Sequence, residues 1–416
     1  MKILFYVNDL RIGGCQINAV NLGKAIVHRG HAVIFTAEPG PLVERILKNG
    51  MAFEPLLMGQ VRRPSLKIAR KIAELALFHS VDIIQVFDTM PLMEAYASQV
   101  WHTKPVYGLI TAQATPDFML PQHQEIALVN PDTIERYKQR WEWPPEKLRL
   151  LTARLDCDLY QPQSVQVDRL FSGIPLKENA PILSLVSRID IGKWETIELF
   201  LSAALHWQKT RAQELPVNFM IVGTGNLFPK LQTHIWDLGL SERVFAIGER
   251  LDIPEVMNAS AVVMGMASTC QQGLACGRPV IVVGEKGFSE LIEPNNFDYL
   301  AEFHFNLHFL SGENQPETLC QQFAKVLESS QYSSELKEFS RKIACERFDS
   351  RIGAGQLEKA YEWLINNQHV AWTSSLKGYK TFFLSWLSLQ WVVFLRRVKR
   401  RWQMFLELKV FKTPTR

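Results

Sequence analysis

Short runs in which every residue is apolar, set between amphipathic segments, constrain this chain more than any other feature. Val280-Ile281-Val282-Val283 and Val262-Val263-Met264 offer no polar side chain to either face of the strand they would form. A strand that is apolar on both faces has to be covered on both, which is the condition of a parallel sheet held between two layers of helices. The surrounding rhythm is that of βαβ units. Residues 2–7 read as a strand, 16–28 as a helix with Ile17, Val20 and Ala25 on one stripe, 32–36 as a second strand and 81–87 as a later one. After 162–180, which has no clear periodicity, strands are expected at 182–187, 219–222, 261–264 and 279–283, with helices at 196–208 and 227–238. The expected fold class is α/β, with two doubly wound parallel-sheet domains at 1–165 and 166–350.

Composition narrows the class. The chain has 416 residues, 47% hydrophobic and 21% charged, which excludes a disordered or polytopic membrane protein and allows two sizeable cores. Its six cysteines form no CxxC pair and have no histidine at zinc-finger spacing, so neither a disulfide framework nor a structural zinc is expected, and the thiols suit a reducing, cytosolic compartment. The first apolar run spans five residues before Asn8, too short for a secretory segment and suited to a buried strand. Charge is unevenly placed. From Lys377 onward ten basic residues face one acid, Glu407; that +9, against +4 for the whole chain, leaves −5 for the rest. An acidic body with a basic tail argues against nucleic acid as a partner and aims the positive charge at one anionic surface.

In doubly wound sheets ligands lie beyond the carboxyl ends of the strands, here the loops after Val7, Ser187, Val222 and Met264. Gly13-Gly14 sits between the first strand and its helix, where glycine permits close approach of backbone to an anion at a helix N-terminus; a plain turn is the alternative. Gly223-Thr224-Gly225 follows a strand and precedes a helix, but no third glycine completes a dinucleotide fingerprint, so one nucleotide near the strand end is the better reading. Arg188 and Lys193 flank a turn after a strand, with Gly192 between them. They are either a solvated surface pair or a grip for a diphosphate, with Arg bidentate and Lys a mobile point charge.

Four segments in order, Ile12-Gly13-Gly14, Ser187-Arg188 through Gly192-Lys193, Ile221-Val222-Gly223-Thr224-Gly225 and Ala275-Cys276-Gly277-Arg278-Pro279-Val280-Ile281, give the chain a resemblance to the group 1, or family 4, retaining glycosyltransferases of GT-B fold. The resemblance runs over roughly residues 1–365. It implies two Rossmann-like domains facing a cleft, an acceptor held by the N-terminal domain, a nucleotide-sugar held by the C-terminal one, and no cofactor or metal. It also implies that Arg188 and Lys193 stabilise the charge growing on the donor diphosphate, that Gly13, Gly14, Gly223, Gly225 and Gln272 line the nucleotide-sugar site, and that a helix at 351–368 crosses back to the first domain. Leu357, Tyr361, Trp363 and Leu364 are available to pack that helix.

The departures mark a divergent member. Where the family carries two glutamates eight positions apart, alignment on Gly277 and Pro279 places Met264 and Gln272; the amide keeps hydrogen-bonding capacity and the thioether does not. Gly265-Met266-Ala267-Ser268 replaces an acidic, glycine-rich loop. Thr111, Gln85 and Phe87 stand where histidines are frequent, and none of the ten histidines, His28, His31 and His123 among them, falls on a family position. Asp9 and Asp88, at strand ends, are candidate acceptor ligands.

Residues 381–395 carry no charge and are followed by Arg396-Arg397-Val398-Lys399-Arg400-Arg401. A spanning helix needs about twenty apolar residues. With Trp386, Trp391 and Trp402, the tail at 369–416 is expected to be an amphipathic helix on an anionic membrane interface, or else a helix packed on protein. Together these readings give a peripheral glycosyltransferase at the cytoplasmic, inner face of the plasma membrane. It would move a sugar from a nucleotide-sugar to a hydroxyl acceptor, lipid-linked or a growing surface glycan, with retention. The alternatives are a non-catalytic GT-B-like partner subunit and a nucleotide-sugar epimerase of the same fold; the second needs acid/base carboxylates that the sequence does not place.

Overall fold

The structure is a computed structural model of the full chain, which describes residues 1–57, 64–110, 125–129, 131–284, 287–306, 315–367 and 383. The tail at 369–416, apart from that single residue, and Thr111 lie outside the described residues. The chain divides into two compact units. The first contains Met1–Val129, Thr133–Leu151 and Ala354–Arg416, and the second contains Asn130–Asp132 and Thr152–Gly353.

The first unit is a seven-stranded sheet of β1 (Lys2–Asp9), β2 (Ala32–Glu38), β3 (Ala52–Pro55), β4 (Ile83–Phe87), β5 (Val106–Ile110), β6 (Ile126–Leu128) and β7 (Leu148–Leu150), in the order β3-β2-β1-β4-β5-β6-β7. Every pairing in it is parallel. Alternation along β1 explains how it is covered. Ile3, Phe5 and Val7 enter a core with the helix Gly14–His28, while Leu4 and Tyr6 enter a second core with the helices Leu66–Phe78 and Thr89–Ser98.

The second unit is a six-stranded sheet of β8 (Ile182–Val186), β9 (Asn218–Val222), β10 (Val244–Ala246), β11 (Ser260–Gly265), β12 (Val280–Val283) and β13 (Ser289–Leu291), in the order β10-β9-β8-β11-β12-β13. The all-apolar β12 behaves as its sequence requires. Ile281 and Val283 face one core, with the helices Trp194–Thr210 and Pro316–Leu327, and Val280 and Val282 face the other. The edge strand β13 pairs antiparallel with β12, the one departure from a parallel sheet among the described strands.

In each sheet the strand order reverses at one place, between β1 and β4 and between β8 and β11. Chains leave such a switch point in opposite directions and open a crevice at the carboxyl ends of the two central strands.

One boundary differs from the periodicity reading. Residues 152–165, read in the sequence with the first domain, group with the second unit, because Leu155, Cys157 and Tyr160 are buried in its core. The Leu155 backbone is bridged to the other crossing by Leu155 N to Phe348 O at 2.8 Å and Ser350 N to Leu155 O at 2.7 Å. The helix Ser350–Asn367 passes into the first unit after Gly353. Ala354, Leu357, Tyr361 and Leu364, spaced on one helical face, are fully buried there beside Phe5 and Tyr107. Each of the three larger side chains contributes roughly 2 kcal/mol of apolar burial. Trp363 lies off that face and is 48% exposed, so it takes no part in the packing its sequence position suggested. Glu358, on the same helix, accepts hydrogen bonds from Arg29 Nε at 2.7 Å and pairs with His31 Nε2 at 2.7 Å.

Candidate functional site

At the β8/β11 switch point the chain leaves β8 through the turn that carries Arg188 and enters a short 3-10 helix, Ile191–Lys193. That turn is held by the loop after β9: Ser187 N donates to Val222 O, Ile189 N to Thr224 O and Leu227 N to Ile189 O, each at 3.0 Å. The two loops touch backbone to backbone. Gly223 has φ +141°, and a Cβ on it would stand 1.9 Å from Ser187 O; a Cβ on Gly225 would stand 2.2 Å from Ile189 O. The space freed by these two glycines is thus filled by the Arg188 loop. Their visible service is to position that loop, not to leave room for a ligand on the Cβ side.

The Arg188 side chain is 80% exposed, with Nη1 3.6 Å from Asp190 Oδ2. Lys193 is half-buried, and its Nζ lies 3.2 Å from the thioether sulfur of Met266, in the loop after β11. An exposed guanidinium and an ammonium carried five residues apart after one strand end have the chemistry to meet oxygens of a diphosphate.

The loop after β11 is short: only Met266 and Ala267 separate β11 from the helix Ser268–Ala275. Ala267 sits at φ +47° and donates from N to Phe305 O at 2.9 Å. Met264 does not reach this loop. It is wholly buried within β11, opposite Leu185 and Ile281, so the position that simple spacing equated with a glutamate is a core position. Gln272 lies on the following helix and is nearly buried.

Its neighbour Gln271 belongs to a cluster that sequence reading missed. Arg154 Nη2 lies 3.2 Å from His304 Nε2, and Gln271 Nε2 lies 3.4 Å from His304 Nδ1. Arg154 and Gln271 are buried. Burial, reinforced by the Arg154 charge, pushes His304 down to about 3, so the imidazole is neutral at physiological pH. Nothing local joins these residues, since Arg154 and His304 are 150 positions apart.

The first unit has a separate constellation at its own switch point. Gly13 caps the helix Gly14–His28 at φ −166°, an extended conformation open to any residue, and a Cβ there would meet only the movable end of Gln16. Asp9 ends β1 and accepts from Arg11 N at 3.1 Å, Arg11 Nη2 at 2.9 Å and Gln16 Nε2 at 3.3 Å. Asp88 follows β4 at φ +77° and donates from N to Leu109 O at 3.0 Å. Asp9 and Asp88 thus end the two central strands of this sheet, and Asp9 also spends its oxygens on bracing the glycine loop. Gln85 and Phe87, where the resemblance places histidines, are fully buried in β4; Gln85 accepts from Tyr361 Oη at 2.8 Å and donates to Val86 O at 3.0 Å. They are structural. Among the described residues no group of three or more His, Cys, Asp or Glu side chains is placed to hold a metal ion, and no helix is long and apolar enough to cross a membrane.

Residues 167–343, almost the whole second unit, match the family model Glycosyl transferases group 1. The chain carries a group 1 glycosyltransferase domain. A curated relative, N-acetyl-alpha-D-glucosaminyl L-malate synthase of Bacillus anthracis, is 21% identical over 364 residues, which cover 78% of this chain and 93% of that protein. Among solved structures, a glycosyltransferase from Rickettsia africae has TM-score 0.70 at 16% identity, covering 88% of this chain and 99% of its own. Anabaena HepE in complex with UDP-glucose has TM-score 0.66 at 18% identity, covering 87% and 99%. At such identities the structural likeness shows the fold, which is GT-B, and the group 1 domain here is a divergent one. A UDP-GlcNAc 2-epimerase from Neisseria meningitidis shares the fold more loosely, at TM-score 0.55.

Proposed function

We propose that the protein moves a sugar from a nucleoside-diphosphate sugar to a hydroxyl acceptor, with retention at the anomeric carbon. Glycosyl transfer is the activity class of its family. The finer reading rests on one observation: the segment that leaves β8 at the β8/β11 switch point carries both Arg188, which is exposed, and Lys193, whose ammonium lies against Met266. As the glycosidic bond lengthens, charge accumulates on the diphosphate. Two preplaced cations favour that state over the ground state, and losing a comparable donor in other enzymes costs on the order of 100- to 1,000-fold in rate. Gln272 serves as a neutral hydrogen-bonding group toward the donor in place of an acid. Gly223 and Gly225 hold the Arg188 loop in register. Gly13 and Gly14 keep their assignment to the nucleotide-sugar, and Asp9 and Asp88, at the ends of β1 and β4, are the acceptor ligands.

The acceptor is lipid-linked or a growing surface glycan, and the protein works at the inner face of the plasma membrane. The composition of the tail supports this: fifteen uncharged residues at 381–395 run into a cluster of five cations. WaaG, a glycosyltransferase involved in lipopolysaccharide biosynthesis, shares the fold at TM-score 0.58.

A second reading, a non-catalytic partner subunit, is favoured by the burial of Met264 and by the amide at Gln272. Calorimetric titration of wild type and of the Arg188→Ala, Lys193→Ala double variant with a panel of nucleoside diphosphates and nucleotide-sugars separates the two. Binding by wild type that the double variant loses supports the transferase. Absence of binding across the panel supports the partner subunit.

A further inference from the structure

We infer that Cys157 and Cys345 form a reactive dithiol that closes to a disulfide by exchange with a low-molecular-weight disulfide. None of the six cysteines is paired in the structure, and their surroundings differ. Cys270, Cys276 and Cys320 are buried, each with a backbone carbonyl as its sulfur partner: Gly265 O at 3.2 Å, Pro254 O at 4.0 Å and Ala203 O at 3.3 Å. The Cys157 sulfur lies 3.9 Å from Ala344 O, the carbonyl of the peptide that leads into Cys345. Both pack in the same core cluster of the second unit, Cys157 buried and Cys345 partly exposed.

Position gives the pair its meaning. Cys157 lies just inside the segment by which the chain enters the second unit at Thr152, and Cys345 lies in the last turn of the helix Ser330–Phe348, shortly before the chain leaves at Gly353. These two strands of traffic are already tied without a covalent bond. Leu155 pairs with the backbone of Phe348 and Ser350, and Arg341 Nη1 donates to Cys157 O at 3.0 Å and Tyr160 O at 2.8 Å. Such ties hold the two backbone segments that carry the cysteines against one another, the proximity that makes exchange intramolecular.

Exposure assigns the order of events. The Cys345 thiolate attacks one sulfur of R–S–S–R, and R–S⁻ leaves with the electron pair of the broken bond. Cys157 then gives up its proton and attacks Cys345 Sγ in the mixed disulfide, expelling the second R–S⁻. Two protein thiols are oxidised to one disulfide, and R–S–S–R is reduced to two R–SH, which take up the two protons. Burial, together with the Cys345 and Asp349 charges, pushes the Cys157 thiol well above its ordinary range, which makes it the resolving and not the attacking group. A pair of this kind suits a reducing compartment, where disulfides that do form are transient and redox-responsive.

The test uses the full-length protein and oxidised glutathione, followed by denaturation, blocking of free thiols and peptide mapping under non-reducing conditions. The expected result is loss of the free thiols of Cys157 and Cys345 together, with one linked peptide pair containing both and full recovery by dithiothreitol. In Cys345→Ala, Cys157 stays a free thiol; in Cys157→Ala, glutathione remains on Cys345. Glutathione retained on Cys345 of wild type, a link between any other pair of cysteines in place of this one, or both thiols still free overturns the assignment. Circular dichroism of the two variants checks that the outcome is read on folded protein.

Discussion

The backbone of Gly223 is pressed against the carbonyl of Ser187, so closely that a Cβ on Gly223 would stand 1.9 Å from that oxygen. Since Ser187 precedes Arg188, the contact transmits the geometry of one loop to the cation carried by the other. Gly223→Ala is therefore expected to cost about 2–3 kcal/mol, from strain at φ +141° and from displacement of the 187–189 backbone. Urea unfolding checks the stability. The same variant should lose affinity for whichever nucleotide the wild type binds, whereas a change in stability alone would separate the glycine from the donor site.

Arg188→Ala and Lys193→Ala are each expected to lower turnover on the order of 100- to 1,000-fold. The Arg188 side chain is 80% exposed and lies 3.6 Å from the Asp190 carboxylate, so its removal should leave the melting temperature nearly unchanged. Initial rates of nucleoside diphosphate release, taken beside thermal melts, check both halves. Wild-type rates in both variants would remove these residues from the chemistry.

Tyr361 donates to Gln85 across 276 positions of sequence, and both side chains are fully buried. Tyr361→Phe keeps the ring and leaves the Gln85 oxygen unserved, at a cost of about 1–2 kcal/mol. Tyr361→Ala also opens a cavity and should cost about 3–5 kcal/mol. A denaturant series on the two variants measures the difference. Equal losses would mean that the hydroxyl, and not the ring, holds the last described helix on the first sheet.

His304 is held neutral down to about pH 3 by burial and by Arg154, whereas in the unfolded chain it takes up a proton near its ordinary value of about 6.5. Between those values the unfolded state binds more protons, so stability falls as pH drops. His102, lowered to about 4 by burial and by Lys104, adds to the same limb. His304→Asn suits the left-handed backbone at φ +55° and should flatten the loss of stability from pH 6 to 4, as read from melting temperatures across that range. An unaltered profile would place the acid sensitivity elsewhere.

Much of the fold was written in local pattern. An all-apolar strand such as Val280–Val283 has no face to show water, and a stripe such as Leu357, Tyr361 and Leu364 has one face to bury, so neighbours in sequence alone dictated parallel sheets under helices and a final helix with something to pack against. The glycines at 223 and 225 and the cations at 188 and 193 were legible for the same reason, as each stands at a strand end that periodicity locates. What tertiary structure alone decided was convergence. Strand order, set by which apolar faces pack together, brought Arg154 to His304 and Tyr361 to Gln85, and buried Met264 between Leu185 and Ile281 where alignment on the family had equated it with a donor-binding glutamate. It also gave Gly223 its task, because the atom it must avoid belongs to a strand end 36 positions earlier, and no run of sequence records the distance between two loops.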